Sequence, residues 1–139
     1  MKKSKNYVGI DISKLSFDVA ICNFESKYKY FKFANNEGGF VSFLKHLDTS
    51  ESICVMEASG PYYLKLATFL SERKIAVCVV NPLIIRRFSQ MRMSRTKTDK
   101  KDAMLIAEYG KTEKPNLWQP EEDYVLELKQ MQAYLEQLN

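Results

Sequence analysis

Four carboxylates in this chain occur where an acidic side chain needs a physical reason. Asp11 interrupts an apolar run that predicts a buried strand, and Glu57 ends a second β-rich run. Asp99 and Asp102 are three positions apart at the start of a helical segment, so a helix places both on one face. A carboxylate withdrawn from water is destabilising unless it is paired or binds a cation, which makes these four the candidate catalytic residues.

The four acids together predict a divalent-cation site. If the first and fourth strands are neighbours, Asp11 and Glu57 come close, because strand ends converge on the ligand crevice of such sheets. Mutual repulsion keeps some of the acids protonated without metal, and Mg²⁺ or Mn²⁺ relieves it through oxygen ligands. Two such ions about 3.5–4 Å apart activate a nucleophile and stabilise the leaving oxygen in phosphodiester chemistry.

Each acid also has a purely structural interpretation. Asp99 can be the N-cap of the last helix with Asp102 at its third position, which for this pair alone is the stronger interpretation. Glu57 can cap a helix that begins near Pro61, or lie in solvent. Asp11 has no such alternative, since a strand interior offers it no cap. Three further acids are predicted to be surface residues: Asp18, Glu25 and Glu37.

A basic segment precedes the last helix and predicts a nucleic-acid partner. Its seven cations are Arg86, Arg87, Arg92, Arg95, Lys97, Lys100 and Lys101. Such clustering suits a polyanion, and the alternative is a solvated, mobile loop. Residues 91–98 have no periodicity, so we expect a loop that orders on nucleic acid and then positions the acids at its end.

Composition bounds the class of protein. A chain of 139 residues with 45% apolar and 27% charged residues predicts one globular domain, and a net charge of +4 decides little by itself. Three cysteines without CxxC spacing, Cys22, Cys54 and Cys78, predict buried thiols in a reducing compartment. The chain shows neither a signal peptide nor an apolar stretch of ~18 residues, so we expect a cytoplasmic protein that does not cross a membrane.

The elements that must position the acids follow the order βββ-α-β-α-β-α. Strands are predicted at 8–12, 17–22, 28–33, 52–56 and 75–80. Helices are predicted at about 36–46 and 61–73, briefly after Pro82, and from Asp99. An antiparallel meander followed by helical crossovers is the order of the RNase H-like α/β fold, with a mixed sheet.

The C-terminal segment has a different pattern. An a/d heptad seam is formed by Tyr124, Leu128, Met131, Leu135 and Leu138. It predicts either the start of a coiled coil or a terminal helix that packs on the domain, and the two are equally supported. The predicted division is a catalytic domain at 1–113, a linker at 114–121 anchored by Trp118, and an oligomerisation helix at 122–139.

Four local motifs resemble one family. They are VGIDISK at 8–14, EASGPY at 57–62, VNP at 80–82 and KTDKKDA at 97–103. In this order and spacing, the chain resembles the DEDD-type insertion-sequence transposases and the related Piv/MooV site-specific DNA invertases. The resemblance implies a RuvC-like catalytic domain whose metal ligands are Asp11, Glu57, Asp99 and Asp102.

The resemblance also implies partners and a larger active site. In such enzymes a coiled coil and a second domain with a serine nucleophile follow, partner protomers complete the site, and a guide-like RNA encoded by the element is used. Because the chain stops at Asn139, inside the expected coiled coil, we expect it to lack the serine domain and not to exchange strands alone.

Three other functions are compatible with parts of the pattern. A Holliday-junction-resolvase-like nuclease shares the four carboxylates, but the heptads and KTDKKDA favour the transposase. A non-catalytic module can grip RNA or DNA through residues 86–101. An actin-like or sugar-kinase half domain also matches GIDIS, but the chain is too short and lacks a second phosphate loop.

Overall fold

Five strands form one mixed sheet in the order β3-β2-β1-β4-β5. The computed structural model describes residues 6–22, 27–91, 99–118, 130–131, 134–135 and 137, with the backbone alone at 99–101. The strands are β1 (Asn6–Ile12), β2 (Ser16–Cys22), β3 (Tyr28–Ala34), β4 (Ser52–Glu57) and β5 (Ala76–Val80). The pairs β1–β2 and β2–β3 are antiparallel, whereas β1–β4 and β4–β5 are parallel.

The helices follow the predicted crossovers. They are α1 (Glu37–Leu44), α2 (Leu64–Glu72), α3 (Pro82–Met91) and α4 (Asp99–Glu113), and a 3₁₀ turn at Pro61–Tyr63 precedes α2. The mixed α/β fold and the adjacency of the first and fourth strands are confirmed. The helix expected to reach His46 ends at Leu44, because Lys45 and His46 close a turn on the carbonyls of Ser42 and Phe43.

Each central strand is buried on both faces, which explains its nearly continuous apolar sequence. One face packs against α1 and α2 and buries Val8, Ile10, Phe17, Val19, Phe43, Met56 and Leu66. The other face packs against α3 and α4 and buries Val55, Cys78, Val80, Ile85 and Ile106. Side chains alternate along a strand. The strand residues that flank those buried against α1 and α2 therefore point to the opposite face, toward α4.

Helix α4 lies directly on β1 because Gly9 has no side chain. A Cβ at Gly9 would overlap the carbonyl oxygen of Ala103 and lie 2.5 Å from the amide nitrogen of Ala107. Both of these alanines are fully buried. Small residues on both elements therefore let the helix backbone approach the strand and fix the height of α4 above the sheet.

Tyr28 fastens α4 to the edge strand β3. Its hydroxyl donates a hydrogen bond of 2.6 Å to Oε1 of Glu108, and both side chains are half-buried. Burial first, and then this bond, raise the pKa of Tyr28 well above its usual 10.0. We expect Tyr28→Phe to lower the free energy of unfolding by about 1–2 kcal/mol in urea denaturation, because a carboxylate loses its donor. Tyr62→Phe, at an exposed ring, is the control, and equal losses in both variants would contradict this account.

Two of the three cysteines are buried, as predicted, whereas Cys22 is half-buried. Burial, and then the nearby Cys78, raise the pKa of the Cys54 thiol to about 12, and burial raises the pKa of Cys78 to about 11. Both values exceed the usual 9.0, so the protonated thiols stabilise the fold below pH 9.0 and this stabilisation is lost as the pH rises through 11 and 12.

We expect Cys54 and Cys78 to resist alkylation in the folded protein. A buried, protonated thiol is a poor nucleophile, so iodoacetamide at neutral pH should modify both residues only after unfolding in urea. Mass spectrometry of digests measures the modified fraction. Rapid labelling of Cys54 in the native chain would show that the sheet opens far more readily than its packing indicates.

Trp118 ties the segment after α4 to the sheet. Its amide donates a hydrogen bond of 2.7 Å to the carbonyl of Val77, and its ring packs against the larger core, as expected for an anchor. Met131 packs against the same core, whereas Tyr134 and Leu135 are exposed. The heptad positions Tyr124, Leu128 and Leu138 lie outside the described residues, so the coiled coil stays a prediction. No described helix is long and apolar enough to span a membrane.

Candidate active site

The ends of β1 and β4 place Asp11 beside Glu57. The parallel register pairs Ile10 with Met56, so the next positions along the two strands are these acids. Ile10 and Met56 point into the core under α1 and α2, and the alternation of side chains therefore turns both carboxylates toward α4. Each carboxylate is half-buried. The predicted proximity of the two strand ends follows from this register.

Asp102 approaches Glu57 from the helix layer. Both residues line a cavity of about 170 Å³ between the sheet, α3 and α4, and Arg86 and Ser89 of α3 line the same cavity. Asp102 is half-buried in the first turns of α4. Three of the four predicted acids thus come from β1, β4 and α4 to one side of the sheet.

The fourth acid, Asp99, begins α4, and its side chain is not described. It lies one turn before Asp102, at the end of the helix that reaches the carboxyl ends of the strands. Glu57 is not the N-cap residue of the 3₁₀ turn, since Gly60 occupies that position. The cap alternative for Asp99 stays open.

The donor set suits Mg²⁺ or Mn²⁺, since every predicted ligand is a carboxylate oxygen. Within the part of the chain that the structure describes, no three Asp, Glu, Cys or His side chains are close enough to share a metal ion. The described carboxylates therefore fit such a metal in ligand chemistry, but the structure does not bring three of them to one ion. Asp99, whose side chain is not described, is the remaining member of the predicted ligand set.

Asp18 was predicted to be a surface residue, and the structure corrects this. It pairs directly with Asp11 across β1 and β2, and only 19% of its side chain is exposed. Its Oδ1 lies 3.9 Å from Nζ of Lys32 on β3. The alternation of side chains along the second strand could have predicted that Asp18 faces α4, because the flanking Phe17 and Val19 point into the core on the other face of the sheet.

The basic segment is described only at its two ends. Arg86 and Arg87 are exposed on α3, which buries Ile85 and Phe88 against the domain. Arg92, Arg95 and Lys97 lie outside the described residues. Of the loop predicted at 91–98, only Met91 is described, and it ends α3. Lys100 and Lys101 belong to α4, but their side chains are not described. The part that can be placed puts one arginine, Arg86, beside the carboxylates.

Sequence comparisons identify relatives for nearly the whole chain. A family model described as a transposase, that of the DEDD transposases of the IS110 type, matches residues 8–139. The pilin gene-inverting proteins of Moraxella lacunata and Moraxella bovis are each 39% identical over 130 residues, which is 90% of this chain and 40% of theirs. The chain therefore spans about two fifths of the length of the curated relatives it matches.

A structural comparison confirms the predicted fold. The chain is similar to RuvC of T. thermophilus, solved in complex with a Holliday junction substrate, with a TM-score of 0.59. The similarity covers 82% of this chain and 99% of RuvC at 8% sequence identity. At that identity the similarity shows a shared RNase H-like architecture and nothing more specific.

Proposed function

Because the chain belongs to the DEDD transposase family, we propose that it is the metal-dependent catalytic domain of a DNA transposase or site-specific recombinase. The observation that carries the proposal is the pairing of Asp11 and Glu57 at adjacent strand ends with Asp102 above them. Half-buried acids on three separate elements destabilise the fold when no cation is present, and a shared divalent cation would offset their burial and repulsion.

In the proposed mechanism Asp11, Glu57 and Asp102 would hold Mg²⁺ or Mn²⁺ together with Asp99. When bound, such ions activate a nucleophile and stabilise the leaving oxygen of a phosphodiester. Arg86 lines the cavity with two of these acids and is exposed, so its guanidinium can orient a phosphate at the cavity mouth. The other predicted cations of the basic segment, within residues 87–101, are proposed to bind the same nucleic acid.

DNA is the proposed substrate. Two relatives are named as pilin gene-inverting proteins, and RuvC was solved in complex with a Holliday junction substrate. As the resemblance implies, a guide-like RNA, self-association through the tail helix and a serine-bearing second domain serve strand exchange in the proposed enzyme, whereas the metal-dependent nick is assigned to this chain itself. These features are proposals that rest on the family alone.

Nicking of supercoiled DNA tests the proposal. The parent chain should nick DNA when Mn²⁺ is present and stop when the metal is chelated. Glu57→Gln should lower the rate at least about a hundredfold, because a metal ligand is lost. Glu72→Gln removes the same charge at an exposed position on α2, across the sheet, and should nick normally. Metal-independent nicking, or full activity of Glu57→Gln, would refute metal-dependent catalysis by this domain.

A non-catalytic nucleic-acid-binding module is the second candidate. It is favoured by the exposed arginines of α3, Arg86 and Arg87, and by the wide spacing of the described carboxylates. It predicts salt-dependent binding of DNA or RNA that survives loss of Glu57, with no nicking by the parent chain. The same nicking assay therefore separates the two candidates.

A further inference from the structure

A row of charged side chains crosses the sheet at one level. The strand registers place Glu57 of β4, Asp11 of β1, Asp18 of β2 and Lys32 of β3 at consecutive positions. All four lie on the face that carries α4, and three strand spacings correspond to about 14 Å. The row therefore runs from the cavity beside α3 to the open edge of the sheet and ends in a cation.

Lys32 has the placement of a group that can bind an incoming anion. Its side chain is 60% exposed, and its ammonium lies 3.9 Å from the Asp18 carboxylate. Solvent screens an ion pair this long and this exposed, so a phosphate oxygen can compete with Asp18 for the ammonium. The tyrosines before it, Tyr28 and Tyr30, bond to Glu108 and Met104 of α4, which identifies the face of β3 on which Lys32 lies.

Asp18 gives a physical reason for a cation at Lys32. Two carboxylates directly opposite each other on antiparallel strands repel, and Asp18 faces Asp11 in this way. A cation beside Asp18 offsets that repulsion on the side away from Asp11. The row thus ends in Lys32 on one side. On the other side it ends in Glu57, which lines the same cavity as Arg86.

We propose that Lys32 binds a backbone phosphate of the DNA strand that crosses the carboxylates. The strand runs from Arg86 on α3 to Lys32 on β3, with the scissile phosphate between them, and the ammonium exchanges Asp18 for a phosphate oxygen. The inference rests on the proposed function for the identity of the anion. Lys32 is then a DNA contact outside the predicted basic segment, and the DNA strand crosses the sheet along the line from α3 to β3.

The test is equilibrium binding of a labelled duplex oligonucleotide to the chain in EDTA, as a function of salt. At about 0.1 M salt, Lys32→Gln should weaken binding roughly 5- to 10-fold and reduce the log–log salt slope by about 0.9, the contribution of one phosphate contact. Lys29→Gln is the matched control, since Lys29 is exposed on the same strand and points to the opposite face. It should change the affinity less than about twofold.

Asp18→Asn separates phosphate contact from a merely structural ion pair. If Lys32 touches DNA, removing the carboxylate that competes for its ammonium should leave binding unchanged or tighten it. Weakening by Asp18→Asn equal to that by Lys32→Gln, or equal effects of both lysine variants, would overturn the assignment. Loss limited to Lys32→Gln in a chain that never nicks DNA would support this inference and refute the proposed catalysis. A parent chain that does not bind DNA would overturn both.

Discussion

Gly9→Ala is expected to lower the free energy of unfolding by about 3 kcal/mol or more, a large loss for the addition of one methyl group. The added methyl group would overlap the carbonyl oxygen of Ala103 and press on the amide of Ala107. These are helix backbone atoms, which cannot turn aside as a flexible side chain does. Helix α4 would have to lift from β1, and Asp102 would move away from Glu57.

The matched control is another glycine, in a helix and with room around it. A Cβ at Gly38 would meet only Oδ1 of Asn36, at 3.5 Å, so Gly38→Ala should be neutral or stabilise by about 0.5 kcal/mol. Urea denaturation of the three proteins measures the difference. If Gly9→Ala unfolds at the same urea concentration as the parent, the close approach of α4 to the sheet is wrong.

Asp11→Asn is expected to abolish metal-dependent nicking, by at least about a hundredfold, while the protein stays folded. Asparagine keeps the size of the side chain and loses the charge that a divalent cation requires. The substitution also removes repulsion with Asp18, so the free energy of unfolding without metal should not fall and can rise.

Asp48→Asn controls for the loss of one acidic charge. Asp48 lies in the turn before β4, where its Oδ1 accepts bonds from Ser50, and asparagine retains an acceptor there. This variant should nick DNA at the parent rate. Parallel melting curves show whether any loss in Asp11→Asn comes from unfolding, and a stable Asp11→Asn protein with parent activity would remove Asp11 from the site.

Much of the fold could be predicted because strand burial is visible in the sequence. Apolar or aromatic-rich runs marked all five strands, and the change from short turns to helical crossovers indicated the order in which they pair. The position of Glu57 beside Asp11 followed, since it needed only the first and fourth strands to be neighbours. Boundaries were less accurate where turns and helices share local bonds, as at Lys45 and His46.

The features that the sequence did not reveal depend on contacts between distant elements. Asp18 looks like a surface acid until the register places it opposite Asp11. Gly9 looks like an ordinary strand glycine, because its role depends on a helix that begins ninety residues later, at Asp99. The cavity shared by Glu57 and Arg86 likewise requires α3 to fold back over the end of β4.

The most direct test of the central claim is a calorimetric titration of Mn²⁺, and in parallel Mg²⁺, into the parent chain and into Asp11→Asn. The claim is that carboxylates from β1, β4 and α4 form one divalent-metal site. We predict saturable binding to the parent and to Asp48→Asn, and no binding to Asp11→Asn. Equal binding to the parent and Asp11→Asn, or no binding to the parent, would contradict the claim and favour the non-catalytic binding module.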